Sequence, residues 1–534
     1  MTGKLLAGTA VLALGAGTAQ ADFTLHVLHV NDFHSRIEPV NAFDSTCDAE
    51  TEAKGECFGG AARLFAKVNE LRDAIRAAGG NVVVLDAGDQ FQGSLMYTTY
   101  KGEVEAEMME RIGFDAMALG NHEFDDGPDG LDPFLSRVGF PVVSGNINVS
   151  ASNVLAGRVK DRVVLEVGGE RIGIVSALTV DTVEIASPGP TVAFEDEVAA
   201  LAADVAALEA EGVTKIIALT HVGLPRDIEI AEAVPGIDAI VGGHSHTYLS
   251  ATDPERDGAY PVWASGPDGA LVPIVQAYAY GKYLGHLELT FADDGTLRHA
   301  GGNTILLDAG VEPDAAILAR VSELAGPIEE LKATVIGEAA EEIDGARENC
   351  RTGECEMGNL VADAMLDRVR DQGIQIAIQN GGGLRASIDA GPISMGEVLT
   401  VLPFQNTLST FQVTGETIVA ALENGVSQVE EGAGRFPQVA GLRYTWQASA
   451  EPGARIRTVE VREGDAWVPI DPAKVYGVVS NNYVRGGGDG YRMFTTAENA
   501  YDFGPGLEQV VADFIAAQGG RYTPYLDGRI TRVE

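Results

Sequence analysis

Short apolar runs recur along the first half of the chain, and each stops abruptly at a polar residue. Thr24 to Val30 reads as a strand and ends at Asn31-Asp32. Val82 to Leu85 ends at Asp86-Ala87-Gly88-Asp89, and Asp115 to Leu119 ends at Gly120-Asn121-His122. Lys215 to Leu219 ends at Thr220-His221, and Ile237 to Val241 ends at Gly242-Gly243-His244. Helical spacing appears between such runs, as in Ala61 to Ala77. Strands alternating with helices predict an α/β core with mostly parallel strand pairs. In open α/β sheets, ligands bind outside the carboxyl ends of the strands. The Asp, Asn and His residues that follow each strand therefore meet at one edge.

Pro313 to Thr334 is helical in composition apart from Pro327. It carries Ile317, Leu318, Val321, Leu324, Ile328 and Leu331 at roughly helical spacing and predicts a connecting helix. A second mixed α/β region follows, with glycine-rich loops at Asn380 to Gly383 and Gly486 to Gly490. At 534 residues the chain is too long for one ordinary core. The expected division is a leader over 1–21, a first domain over 22–312, the connecting helix over 313–334 and a second domain over 335–534.

Lys4, the uncharged run Leu5 to Ala16 and the small-x-small site Ala19-Gln20-Ala21 predict a signal peptide. The run is short for a transmembrane helix. The C-terminus, Arg529 to Glu534, lacks the hydrophobic tail of a GPI anchor. The expected location is the periplasm or the medium, without a stable membrane anchor. Four cysteines suit an oxidising compartment. Of their three possible pairings, the local one, Cys47 with Cys57 and Cys350 with Cys355, is the simplest. A formal net charge of −41 repels nucleic-acid polymers and anionic membranes. It does not exclude a small anionic substrate, because bound metals and local arginines reverse the field at a site.

Five of the nine histidines, His34, His122, His221, His244 and His246, sit at the strand ends. Asp32-x-His34 places two ligands where a bending chain aims both at one ion. Asp89, Asn121, His221 and the pair His244 and His246 follow other strands. Carboxylate, amide and imidazole donors suit Zn, Mn, Fe or Co better than Mg or Ca. Each fragment alone is common in turns. The ordered set, each member after a strand, predicts a dinuclear metal site.

Four blocks carry a family resemblance: Asn31-Asp32-Phe33-His34, Gly88-Asp89-Gln90-Phe91-Gln92-Gly93, Gly120-Asn121-His122-Glu123-Phe124-Asp125 and Gly242-Gly243-His244-Ser245-His246. With them the chain resembles the calcineurin-like metallophosphoesterases, and more narrowly the secreted 5'-nucleotidase and UDP-sugar hydrolase family. The resemblance implies a four-layer αββα sandwich followed by a smaller mixed α/β substrate-binding domain. It implies one ion on Asp32, His34, Asp89 and His246, and another on Asp89, Asn121, His221 and His244, with Asp89 bridging. Zn is the expected metal, with Mn, Co or Fe as alternatives. His246 stands where well-known relatives carry Asn or Gln; imidazole still ligates. His122 is implied to stabilise the transition state, oriented by Asp125, which reaches back across one turn.

Arg347 and Arg351 are four residues apart, and Arg385 follows the loop Asn380-Gly381-Gly382-Gly383-Leu384. Guanidinium groups take phosphate in a bidentate fork. The loop is not a Walker loop, because no Lys-Ser/Thr follows it. The resemblance implies that Arg351, Asn380, Gly383 and Arg385 line the substrate pocket, and that Arg347 matches an arginine of the bacterial members. Phe404 and Tyr483 match two aromatics that sandwich the base, a contact that tolerates every base. Asp489, in Gly488-Asp489-Gly490-Tyr491, matches the acid that accepts ribose hydroxyls. Read without the family, these arginines are surface ion pairs, the aromatics are core residues and the glycines are turns.

The implied activity is hydrolysis of a 5'-nucleotide to nucleoside and phosphate. The rivals are a UDP-sugar or a 2',3'-cyclic nucleotide as substrate, more distantly a thiosulfate ester, and a non-catalytic periplasmic receptor on the same fold. The aromatic pair and Asp489 favour a nucleotide. The full ligand set with His122 and Asp125 favours an enzyme. All metal candidates precede the connecting helix and all substrate candidates follow it. Rotation of one domain against the other is therefore expected, about a hinge between Ala309 and Gly337.

Overall fold

The computed structural model describes residues 22–533 except 43, 45, 187, 405, 465 and 503. The expected leader over 1–21 lies outside the described residues. The runs that end at polar residues fold as strands of two sheets. The first sheet has the order Leu297–Leu306, Tyr283–Phe291, Phe23–Val30, Asn81–Asp86, Ala116–Ala118, Val142–Val143 and Val159–Lys160. The second runs Val262–Ser265, Leu271–Val275, Ala239–Val241, Ile216–His221, Glu170–Leu178 and Arg162–Val167. The central pairs are parallel; both edges of the second sheet and one edge of the first close with antiparallel strands, while Val159–Lys160 pairs parallel at the other edge of the first.

Alternation along one strand sorts its side chains into two layers. Leu25 and Val27 of Phe23–Val30 face the other sheet and meet a core that holds Ile172, Ile174, Ile217 and Leu219. Leu28 and Val30 face outward, into a core shared with Leu64 and Val68 of helix Ala61–Ala77 and Met108 and Met109 of helix Glu103–Ile112. On the far side, Ala218 and Ile240 pack against Leu201, Val205 and Leu208 of helix Glu197–Ala210. The first domain is thus helix, sheet, sheet, helix, as expected.

The connecting helix spans Ala315–Lys332, and Asp314 caps it by accepting the N–H groups of Ala316 and Ile317. Ile317, Val321, Leu324 and Ile328 are buried in the first domain's outer core, whereas Leu318 is exposed. The helix is therefore built onto the first domain. Its C-terminal end meets the second domain, where Met395 N–H donates to the Thr334 carbonyl at 2.9 Å.

The second domain contains, among the described residues, a five-stranded, a four-stranded and a three-stranded sheet. Helix Glu356–Val369 packs on the five-stranded sheet through Leu360, Val361 and Met365, in a core with Ala377 and Val479. Disulfides join Cys47 to Cys57 and Cys350 to Cys355, the local pairing. Among the described residues, no helix is long and apolar enough to cross a membrane.

Candidate active site

Five strand ends converge at one edge of the sandwich. The first sheet delivers Asp32 and His34, Asp89, and Asn121; the second delivers His221, His244 and His246. Their loops are zipped together through the backbone. Asp32 N–H donates to Gly88 O at 2.9 Å, and His34 N–H donates to Asp89 O at 2.9 Å. Close approach explains the glycines. A Cβ on Gly120 would lie 2.2 Å from Asp89 Oδ1, and one on Gly243 would lie 2.8 Å from the Ala87 carbonyl oxygen. Asp32, His34, Asp89, His244 and His246 all hold left-handed backbone, with φ from 49° to 76°. Such strain persists only where the surroundings over-determine it, and it clusters at functional sites.

Two groups of three donor atoms result. Asp32, His34 and His246 lie within 4.8 Å of one another, as do Asp89, His221 and His244. His34 Nε2 is 3.0 Å from His246 Nε2, which is 3.3 Å from Asp32 Oδ1. His221 Nε2 is 3.0 Å from Asp89 Oδ2, and His244 Nδ1 is 2.9 Å from Asn121 Oδ1. Asp89 also joins His34 and His122 in a third group, so it lies between the other two.

The donor set fits a metal pair. The Ala87 carbonyl can only accept, so His221 donates from Nδ1 at 2.7 Å and keeps a lone pair on Nε2. That Nε2 is buried and aimed at Asp89 Oδ2, and against burial the Asp89 carboxylate raises His221 to about 10. The Phe91 carbonyl fixes His34 in the same way, 3.3 Å from Nδ1. Ligating histidines are oriented by such bonds from the other ring nitrogen. Burial and the His246 ring hold His34 down to about 3, and burial and the His221 ring hold His244 down to about 4. Against burial, His246 lowers Asp32 to about 2.

His122 donates its backbone N–H to Asp89 Oδ1 at 2.8 Å. Its Nδ1 is 2.7 Å from Asp125 Oδ2, which also accepts from Gln92 Nε2 at 3.1 Å. Against burial, the Asp125 and Asp89 carboxylates raise His122 to about 9.

Three supporting features carry no signal that composition or spacing could single out. Glu123 lies in the segment Gly120-Asn121-His122-Glu123-Phe124-Asp125, yet its role appears only in space. Its carboxylate accepts four backbone N–H groups, from Asp89, Gln90, Phe91 and Gly120. Tyr278 and Tyr280 are both left-handed. Tyr280 N–H donates to Asp32 O at 2.7 Å, and its ring centroid lies 5.7 Å from His34 and 5.4 Å from His246. Buried Arg36 stacks its guanidinium 5.2 Å above the Tyr280 ring.

Arg36, Asp44, Tyr278 and Tyr280 form the first-domain wall of a cavity of about 530 Å³. The second-domain wall includes Arg351, Asn380, Gly383, Arg385, Phe404, Tyr483 and Asp489. Arg347 does not line this cavity; it begins the short helix Arg347–Cys350. Burial lowers the Arg351 pKa, and the charges of Arg347 and Arg385 lower it further. This cationic cluster is complementary to an anion. Arg385 stacks 5.4 Å above the Phe404 ring. Asp489 accepts from Asn380 Nδ2 at 2.7 Å and lies 3.1 Å from the Tyr483 hydroxyl.

Residues 25–248 match the calcineurin-like phosphoesterase family, and residues 335–496 match the 5'-nucleotidase C-terminal domain. The chain is 39% identical to a 5'-nucleotidase of Diplobatis ommata over 100% of this chain and 94% of that one. It is 38% identical to the 5'-nucleotidase of Homo sapiens, over 98% and 93% of the two chains. Among solved structures it is similar to a 5'-nucleotidase precursor from Thermus thermophilus, at 40% identity and TM-score 0.64, over 96% of this chain and 100% of that one. It is also similar to the NAD nucleotidase of Haemophilus influenzae, at 27% identity and TM-score 0.74, with the same coverage.

Proposed function

The chain belongs to the 5'-nucleotidase family, and from that premise we propose how its own residues carry the reaction. It is a metal-dependent phosphoesterase with 5'-nucleotidase activity. The observation that carries the finer reading is the pair of three-donor groups with Asp89 between them. Asp32, His34, Asp89 and His246 hold one ion, and Asp89, Asn121, His221 and His244 hold the other. Imidazole-rich donors favour zinc, with Mn, Co or Fe as alternatives. When bound, the ions acidify a water and neutralise phosphate oxygens.

The remaining residues bind and orient the substrate. Arg351 and Arg385 attract the phosphate, with Arg347 adding to their field. Phe404 and Tyr483 stack on the base, and stacking alone selects no particular base. Asp489, oriented by Asn380, accepts the ribose hydroxyls. Gly383 keeps the loop beside them free of side chain. His122 stabilises the charge that develops on the phosphate, its ring held by Asp125. The preferred substrate is a nucleoside 5'-monophosphate, consistent with the aromatic and acidic groups on one cavity wall.

The two disulfides favour an oxidising compartment, and the leader over 1–21 would export the chain to the periplasm or the medium. The connecting helix packs with the first domain, so a domain rotation would hinge near residues 333–335, past its last buried turn.

Removal of metal from the purified protein should abolish phosphate release from AMP, and zinc, manganese or cobalt should restore it. Full activity in protein verified as metal-free by elemental analysis would refute the assignment. A screen of AMP, UMP, ADP, UDP-glucose and 2',3'-cyclic AMP should rank the monophosphates first. Preference for UDP-glucose or the cyclic ester would replace the substrate reading and leave the metal site standing.

A further inference from the structure

The bond between His122 and Asp125 is half of a larger arrangement. Asp125 Oδ2 lies 2.7 Å from His122 Nδ1 and accepts from Gln92 Nε2 at 3.1 Å. The other carboxylate oxygen, Oδ1, is buried and has no hydrogen-bond partner among the described residues. The carboxylate is therefore held through one oxygen, by two donors. Gln92 is distant from it in the chain. It stands in the loop after Asn81–Asp86, whereas Asp125 follows His122–Phe124, beyond Ala116–Ala118. One side-chain bond thus ties the loop of Asp89 to the loop of Asn121.

The way Gln92 is fixed decides which end of its amide faces Asp125. Gly93 N–H donates to Gln92 Oε1 at 3.0 Å. The end beside Gly93 is therefore the oxygen, and the NH₂ is left for Asp125. An NH₂ can only donate, so Asp125 Oδ2 accepts on that side. The backbone leaves little freedom here. Gln92 has φ 66° and Gly93 has φ 100°, and a Cβ on Gly93 would lie 2.9 Å from the His34 carbonyl oxygen. Left-handed backbone at a residue other than glycine persists where its surroundings over-determine it. The far end of the pair is bounded as well. His122 N–H donates to Asp89 Oδ1 at 2.8 Å, and its ring meets His34 edge-on, with centroids 5.1 Å apart. Within those limits the bond to Asp125 sets the rotation of the ring.

We propose that Gln92 is a positioning residue for the reaction. Its amide keeps the Asp125 carboxylate turned toward His122, and so keeps the His122 ring aimed at the phosphate. The proposal rests on the role given to His122 above. A residue that merely closed the loop would need only its oxygen, for Gly93. It would gain nothing from an NH₂ placed on the very oxygen that His122 uses.

Gln92→Glu separates the two roles. Glutamate keeps an oxygen for the Gly93 N–H and puts a second oxygen where the donor was. In zinc-loaded protein it should lower kcat for AMP by about 10- to 100-fold, since a misplacement of about 1 Å costs on the order of 100-fold. KM should not change, because the lost alignment matters only in the transition state. Zinc affinity, read by competition against a chelator, should also stay as in the wild type. Gln92→Met removes the donor without adding charge. It should show the same split, and it carries the test if the glutamate variant folds poorly.

The deciding comparison is made on a His122→Ala background. There Gln92→Glu should cost nothing further, because the group it positions is gone. Losses that multiply in the double variant would overturn the positioning role. So would a wild-type kcat in Gln92→Glu beside a slow His122→Ala, or a loss of zinc affinity that accounts for the fall in kcat. Wild-type turnover by His122→Ala would overturn the reading of His122 itself, and the proposal with it.

Discussion

Glu123→Gln separates the ligands' support from the ions themselves. Oε1 accepts from Gln90 at 2.8 Å and from Phe91 at 3.2 Å; Oε2 accepts from Asp89 at 3.0 Å and from Gly120 at 2.6 Å. Glutamine keeps one oxygen and turns an amide NH₂ toward two backbone N–H donors. Those donors lose their acceptor and face a group of like polarity. Each buried donor left unsatisfied costs about 1–3 kcal/mol, so the pair should cost about 2–4 kcal/mol once the loops relax. Either pair sits beside metal candidates, because one serves the loop after Asp89 and the other serves Asp89 and Gly120 themselves. Loss of a supporting bond of this kind typically lowers metal affinity by about 10–100-fold. Denaturant unfolding of zinc-loaded protein measures the first quantity, and zinc competition against a chelator measures the second. Turnover of AMP should approach wild type at saturating zinc and fall away when zinc is limiting. Unchanged zinc affinity together with an unchanged unfolding midpoint would refute the reasoning, since the cradle would then hold nothing in place.

The aromatic wall and a remote carboxyl give two further expectations. Phe404→Ala or Tyr483→Ala should lower kcat/KM for AMP by about 5- to 150-fold, from a stacking loss of about 1–3 kcal/mol, and should affect a base-free aryl phosphate much less. Equal losses on both substrates would make the aromatics structural. Burial raises the Glu508 carboxyl from 4.5 to about 7, and its Oε2 lacks a hydrogen-bond partner. The folded protein then keeps a proton that the unfolded chain releases, so wild-type stability falls as pH rises through that window. Glu508→Gln should remove the fall and add up to about 3 kcal/mol at pH 8, read from unfolding curves at pH 5 and 8. A variant no more stable at pH 8 than wild type would show that the carboxyl titrates normally.

Much of the first domain was legible because its signal is strong. Buried parallel strands read as continuous apolar runs, and their polar stops mark the ligand edge. The helix Ala61–Ala77 matches its expected bounds, and the connecting helix differs by two residues at each end. The second domain was legible only as mixed α/β. Its strands are often half-exposed: in Ile456–Glu463 only Val459 and Val461 are buried, which leaves too short an alternation to read. Arg36, Tyr278 and Tyr280 were missed for another reason. Their position depends on left-handed backbone at non-glycine residues, which no spacing marks. Arg347 is a different case. The resemblance, not its spacing, implied a substrate role for it, and the structure sets it at the start of the helix Arg347–Cys350, outside the cavity lining.

The placement of the ligands also ties metal binding to the folding of one domain. Each proposed ion draws on both sheets: Asp32, His34 and Asp89 come from the first and His246 from the second. For the other ion, Asp89 and Asn121 come from the first, His221 and His244 from the second. Ions held by these residues would therefore clip the sandwich at its ligand edge, beyond the inter-sheet core of Leu25, Val27, Ile217 and Leu219. A ligand that binds only the folded state stabilises it by about 2.7 kcal/mol at a hundredfold excess over Kd. That stabilisation should reach the strands that carry the ligands and stop at the connecting helix, since the second domain contributes no metal candidate. Hydrogen exchange reads this segment by segment. Chelation should speed exchange in Val83 to Leu85 and Ile217 to Leu219 and leave Ile376 to Ile378 unchanged. Equal acceleration in both domains would mean that the two unfold as one unit. No acceleration in the first domain would mean that the sandwich closes without its metals, and the strained ligand backbone would then be held by packing alone.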